Sequence, residues 1–250
     1  SIAGVLSQKL YENFPIKNFI RNKSSPELQP FLGELILTTN ITIRTEQPSD
    51  YRTVETIHRN AFWNLYVPGA DEHYIAHILR DHADFIPELD LVITLDGQII
   101  GNIMYTKSKL VTATVLEKPI VTFGPVSITP AYQRRGFGKQ LIDASMQQAA
   151  DLGYGAIVIF GDPDNYVARG FQSCQKFNVW AADNTQPTAM LVKELQPQTL
   201  AGQKWFYHES PAMTYDPADA RKFDEGFPEK AKHHQASQEA FYILSHSILK

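Results

Sequence analysis

Val126-Ser127-Ile128, the turn Thr129-Pro130-Ala131-Tyr132, and then Gln133-Arg134-Arg135-Gly136-Phe137-Gly138-Lys139 read in that order as a strand end, a glycine-containing loop and a helix start. The first amides of a helix point outward without intrahelical partners, and the helix dipole adds positive potential there. Such an end binds phosphate. Gly136 and Gly138 let a pyrophosphate approach the backbone without meeting a Cβ, and Arg134, Arg135 and Lys139 add charge. The spacing matches neither a Walker A loop, which needs Gly-Lys-Ser/Thr, nor the Gly-x-Gly-x-x-Gly dinucleotide loop, because position 141 is Leu141. The bland alternative is an ordinary loop capping a helix. The flanking strand and helix favour the phosphate reading.

Working outward, Ile41-Thr42-Ile43-Arg44 alternates as a first strand, and Val54, Ile57, His58, Ala61 and Phe62 form one helical face. A second helix covers Glu72 to His82. Leu89 to Leu95 and Gln98 to Tyr105 are strands joined by a tight turn at Asp96-Gly97. Ile120 to Ile128 is the strand entering the loop, and the helix after it runs to Leu152 and ends at Gly153. Gly155 to Phe160 reads as a strand buried on both faces. Asp162-Pro163 starts a helix that Gly170-Phe171 ends, and Ala189 to Val192 is a late strand. The order is an α/β layout around a central sheet. Residues 1–40 read as an N-terminal extension, 41–195 as the main domain, and 196–250 as a C-terminal extension packing on the domain or on a partner subunit. A homodimer with Phe14, Phe19, Phe31, Phe241 and Tyr242 as interface anchors is one expectation from these extensions.

The segment resembles the GCN5-related N-acetyltransferases (GNAT), whose coenzyme A loop reads Gln/Arg-x-x-Gly-x-Gly/Ala; Gln133 to Gly138 matches every fixed position. Tyr166, four residues before Gly170-Phe171, matches a second family feature, and Gly161-Asp162-Pro163 is similar to a YhbS-like subgroup of predicted acetyltransferases. The resemblance spans about Ile41 to Leu195. It implies an α/β (α+β) GNAT-type acyl-CoA fold: a mixed, mostly antiparallel sheet, helices on both faces, and fourth and fifth strands that splay into a slot for the pantetheine arm. Pro125, awkward inside a central strand, is tolerable at a bulge there.

The resemblance further implies acetyl-CoA as cofactor and direct attack by a primary amine, most simply on a small molecule. Val126, Ser127, Ile128, Gln133, Arg134, Arg135, Gly136, Phe137, Gly138 and Lys139 would hold the cofactor. A backbone amide near Val126 would stabilise the oxyanion, and Tyr166 would protonate the departing thiolate. Many relatives carry a glutamate on the fourth strand; here Thr122, Phe123, Gly124, Val126 and Ser127 supply none. Asp162 is the first substitute base, although an N-cap role before Pro163 explains it at least as well, and His58, Glu55 and His73 follow. The missing carboxylate motivates the alternative of an acyl-CoA sensor or a catalytically silent module.

Bulk composition agrees. The 250 residues are 43% hydrophobic with a net charge of -4, so a nucleic-acid partner is not expected. No apolar run approaches the ~20 residues of a membrane span. The single Cys174 forms no internal disulfide and reads as a buried thiol, and Ser1 to Leu6 lacks the basic-then-apolar order of a secretory leader, so the expected compartment is cytoplasmic. His233-His234 reads as a solvated stretch and not a metal site, and Trp205-Phe206-Tyr207 as core before acceptor pocket.

Overall fold

The computed structural model describes residues 40–250. The expectations for the N-terminal extension, including Phe14, Phe19 and Phe31, lie outside the described residues. The chain runs β1 (Ile41–Thr45), α1 (Tyr51–Phe62), α2 (Glu72–Leu79), β2 (Leu91–Leu95), β3 (Gln98–Val111), β4 (Glu117–Ile128), α3 (Phe137–Asp151), β5 (Ala156–Phe160) and α4 (Pro163–Tyr166). Short strands β6 (Gln172–Ser173) and β7 (Val179–Trp180) follow, then β8 (Met190–Glu194), β9 (Trp205–His208), α5 (Pro217–Asp224) and α6 (Ala236–Ser245). No helix among the described residues is long and apolar enough to cross a membrane.

Local chemistry sets these boundaries. Asp96 and Gly97 both adopt positive φ, 51° and 81°, as a two-residue hairpin between twisted strands requires. α3 stops at Gly153, whose φ of 90° a side chain would resist. Pro163 occupies the first position of α4, where a missing N–H costs nothing.

The strand order is β1-β2-β3-β4-β5-β8-β6, and β9 lies off this path, paired with β3 and β7. β1 to β4 are antiparallel neighbours. On one face, Ile103, Tyr105, Phe123, Val126 and Ile128 bury against Leu141, Ile142, Met146 and Ala149 of α3. Against the other face, α1 reaches Asn102 and Ser127 through His58. A second core gathers Leu110, Ile120, Val158 and Val192 around Trp205 and Tyr207. That packing bears out the core reading for Trp205 and Tyr207, while Phe206 between them is half-buried. The Tyr207 hydroxyl is satisfied by Thr122 at 2.7 Å.

β4 is the decisive strand. Its register against β3 shifts between Ile103, opposite Val126, and Tyr105, opposite Phe123, so Gly124 and Pro125 together face Met104. This is the bulge expected at Pro125, where the ladder does not need its missing N–H. On its other edge β4 runs parallel to β5 and is registered with it at one pair, Val121 with Ile157. Beyond that pair the strands part.

Gly101 of β3 fixes how closely β4 lies. A Cβ there would stand 2.7 Å from the Ser127 carbonyl oxygen and would also strike the Ile128 side chain. Gly101→Ala is therefore expected to destabilise the fold by about 1–3 kcal/mol, the range for overpacking a rigid site. Urea denaturation measures it; a midpoint equal to that of the wild type would mean that β4 has slack there.

Candidate active site

Beside the end of β4 lies a cleft of about 170 Å³. Val126, Ser127 and Ile128 line it from β4, and Gln133, Arg134, Gly136, Gly138 and Lys139 from the loop and first turn of α3. Ile142 of α3 and Asn165, Tyr166 and Arg169 of the α4 turn complete it. Two predicted side chains point elsewhere. Arg135 lies over the Tyr132 ring at 5.6 Å, and Phe137 is buried in the α3-side core, leaving only its amide at the helix start.

The loop is built to present backbone. Arg134 and Gly136 have φ of 62° and 86°, and alternating left-handed residues curl successive N–H groups into an anion-binding concavity. No side chain caps α3. Its first intrahelical bond runs from the Gln140 N–H to the Gly136 carbonyl at 3.1 Å, so the amides of residues 137–139 have no helical acceptor. A Cβ on Gly136 would meet nothing within 4 Å, so the space above it is open. The Gln133 amide nitrogen donates to the Ile128 carbonyl at 2.9 Å and locks the loop onto the strand.

Across the cleft, Asn165 Nδ2 and Arg169 Nε are buried without hydrogen-bond partners. A buried donor left unpaired costs about 1–3 kcal/mol. Both line the same slot and call for an acceptor-rich ligand. The Arg169 guanidinium stands 3.9 Å from Asp143, which also holds Lys139 at 2.5 Å. Neither Asn165 nor Arg169 was legible in the sequence. Their one signal is a four-residue spacing around Tyr166, too short to separate from chance.

Tyr166 is 2% exposed, with its ring between Phe123 and Phe171 at centroid distances of 5.7 and 5.8 Å. Gly161 is required beneath it, because a Cβ would fall 2.5 Å from the ring. Burial raises the hydroxyl pKa well above the ordinary tyrosine range; Arg169 opposes that shift and Asp162 adds to it. Tyr166 therefore holds its proton at neutral pH.

The candidate bases separate. Asp162 caps α4, accepting from the Asp164 N–H at 3.0 Å, and is not in the cleft lining. Glu55 is held by Arg80 at 2.8 Å and His77 at 3.0 Å. His73 lies 3.0 Å from Asp224, and burial lowers its pKa to about 4. His58 is fully buried between Ser127 and Asn102, each at 2.8 Å. The Asn102 nitrogen donates to Asp90 and to the Leu91 carbonyl, so its oxygen accepts from His58 Nε2–H and leaves Nδ1 to accept the Ser127 hydroxyl. Burial depresses the His58 pKa to about 3, which makes it a poor base. Cys174 is a buried thiol whose pKa burial pushes up to about 11, so it is inert.

Comparison with known proteins agrees with this geometry. The acetyltransferase (GNAT) family matches residues 55–174. The uncharacterized N-acetyltransferase YhbS of Escherichia coli (strain K12) is 27% identical over 170 residues, covering 67% of this chain and 96% of that protein. The crystal structure of E. coli YhbS in complex with CoA superposes with a TM-score of 0.60 at 22% identity, over 70% of this chain and 92% of that one. A GNAT family acetyltransferase from Brucella melitensis in complex with acetyl-CoA gives 0.55 at 24% identity, over 70% and 99%. A bulged β4 parted from β5, an uncapped α3 and the family match lead to one assignment: residues 55–174 are a GNAT-family acetyltransferase segment.

Proposed function

We propose that this chain is an acetyl-CoA-dependent N-acetyltransferase that moves the acetyl group directly to a primary amine, both substrates being held in the cleft at once. The observation that carries the reading is the free edge of β4 between an uncapped helix end and a protonated tyrosine. The loop amides and the start of α3 suit a diphosphate. The unpaired edge beyond Val121 suits an extended amide-bearing arm, which adds to a strand edge as a further strand would. The orphaned donors of Asn165 and Arg169 suit its oxygens. The CoA and acetyl-CoA complexes of the E. coli and Brucella proteins support the same fit.

In the proposed reaction the slot aligns amine and thioester, which supplies much of the rate. A backbone amide near Val126 stabilises the oxyanion, and Tyr166 donates its proton to the departing thiolate. A silent acyl-CoA-binding module is the second reading, favoured by the capping role of Asp162 and by the lack of a carboxylate along the cleft side of β4.

Thiol release from acetyl-CoA across a panel of primary amines tests the reading. Turnover with at least one amine is expected, and tight CoA binding with no turnover would favour the silent module. Tyr166→Phe is expected to lower kcat about 100-fold or more while the KM for acetyl-CoA moves by less than about twofold. An unchanged kcat would remove Tyr166 from the chemistry. Gly136→Val should weaken CoA by at least about tenfold in calorimetry, because its side chain fills the open space over the loop. The left-handed φ adds a folding cost of about 1–2 kcal/mol, so affinity is read on protein that circular dichroism finds folded. Undiminished affinity there would rule out the diphosphate placement.

A further inference from the structure

Where α3 faces the α4 turn, three charged side chains come together. Asp143 stands 2.5 Å from the Lys139 ammonium and 3.9 Å from the Arg169 guanidinium. Lys139 and Arg169 both line the cleft. One carboxylate on α3 thus lies between a cation from each wall of the slot.

The three are unequally held. Lys139 and Asp143 are 63% and 38% exposed and sit four residues apart on α3, a pairing that contributes only about 0.3–0.5 kcal/mol. Such a pair exchanges readily for a better one. The Arg169 side chain is 20% exposed. Its Nε is buried without a hydrogen-bond partner, and its 3.9 Å to Asp143 is beyond hydrogen-bond reach. Its backbone is fixed: the Arg169 carbonyl accepts from the Lys193 ammonium at 2.5 Å, and Gly170, with φ of 88°, turns the chain directly after it. A largely buried guanidinium on a pinned backbone, with its carboxylate too far to bond, lacks an anion with several oxygens.

Position selects the anion. The free amides of residues 137–139 open α3. Asp143 lies four residues beyond Lys139, about 6 Å further along the helix axis. In coenzyme A the ribose holds a third phosphoryl group at a comparable remove from the diphosphate. That group is a monoester with a charge of about -1.5 to -2 at neutral pH and three acceptor oxygens. It can accept an arginine fork and an ammonium together, and it outbids a carboxylate for both.

We propose that Lys139 and Arg169, spaced by Asp143, form a receptor for the third phosphoryl group of coenzyme A, which selects free acyl-CoA over thioesters that lack this phosphate. The inference rests on the acetyl-CoA reading and narrows its donor class. The diphosphate takes the loop amides. The terminal nitrogens of Arg169 and the Lys139 ammonium turn from Asp143 to the ribose phosphate, and Arg169 Nε–H stays directed to the arm. Asp143 is a placeholder that keeps the two cations in position before the cofactor arrives.

Calorimetry of the full chain with CoA and with dephospho-CoA, which lacks only that phosphate, tests the site. The wild type should bind CoA at least about tenfold more tightly, and added salt should narrow the ratio. Arg169→Gln keeps a donor toward the slot and removes the charge. It should bring the ratio below about threefold by weakening CoA alone, and Lys139→Met should move it the same way. Asp143→Asn removes the competing carboxylate and should tighten CoA about threefold or more, with dephospho-CoA held within about twofold. A purely structural Asp143 would instead weaken both ligands alike. Equal wild-type affinities for the two ligands, or a ratio unmoved in folded Arg169→Gln, overturn the assignment and leave acetyl transfer standing. Lys139 and Asp143 are exposed, so their variants report even where Arg169→Gln does not fold; a ratio unmoved in both also overturns it. Selectivity that follows these residues, without turnover of any amine, keeps the phosphate site and overturns transfer. Binding of neither ligand overturns both.

Discussion

One parallel pair, Val121 with Ile157, joins β4 to β5, and the functional architecture follows from how soon that pairing ends. Around it, Ile120, Val121, Ile157 and Val158 are fully buried and bind the two halves of the sheet into one body. After it, β4 keeps β3 on one side and has an open edge on the other. An open edge inside a sheet leaves backbone groups without partners, and natural sheets rarely tolerate that without cover. Here the bulge at Gly124-Pro125 turns the strand at the parting point, and α3 and the α4 turn close the slot from the sides. The cleft is thus a missing strand, and its backbone is already in the conformation that an added extended chain would need.

Much of this was legible because it is local. The Asp96-Gly97 hairpin, the glycine at the end of α3, the prolyl start of α4 and the phosphate loop are each set by a few adjacent residues, and all fall where turn and cap chemistry put them. The bulge was legible only because Pro125 is a local contradiction inside a strand. What escaped depends on distant contacts. β9 enters the sheet beside β3 and β7 from the polar stretch after Leu195, where four residues carry no periodicity strong enough to announce a strand. Asn165 and Arg169 acquire meaning only as unpaired donors, a property of what surrounds them. Glu72 reads in sequence as an ordinary first-turn acid favoured by the helix dipole, yet it is 6% exposed.

The polar chain between α1 and β4 is a different kind of constraint. Ser127, His58, Asn102 and Asp90 are linked through buried hydrogen bonds of 2.8 Å, and the nearby Arg80 pairs with Glu46 and Glu55 at the same distance. Burial, with the neighbouring Glu46, pushes the Asp90 carboxyl well above the usual carboxylate range. Such networks contribute little net stability compared with apolar packing, yet each bond is directional and admits one arrangement. Their position gives that property a use: they hold the face of β4 opposite α3 in a fixed register with α1, so Ser127 keeps its place on the cleft wall. A histidine at its centre that stays neutral serves this better than one that titrates, which is why the depressed His58 pKa argues for scaffold and against proton transfer.

The distribution of charge gives the slot a direction. The end at the start of α3 offers uncapped amides, Lys139 and the Arg169 guanidinium, with Asp143 2.5 Å from Lys139 and 3.9 Å from Arg169; in the proposed reading the diphosphate would sit there. Tyr166, in the cleft lining, is kept protonated by burial, as the proposed transfer to the departing sulfur requires. The C-terminal segment holds the α1–α2 connection: the Asn64 amide donates to the Ala231 carbonyl, Gln238 donates to the Asn64 carbonyl, and Phe241 stacks on Tyr66 at 4.6 Å, so residues far apart in sequence fix the approach of α1 to α2.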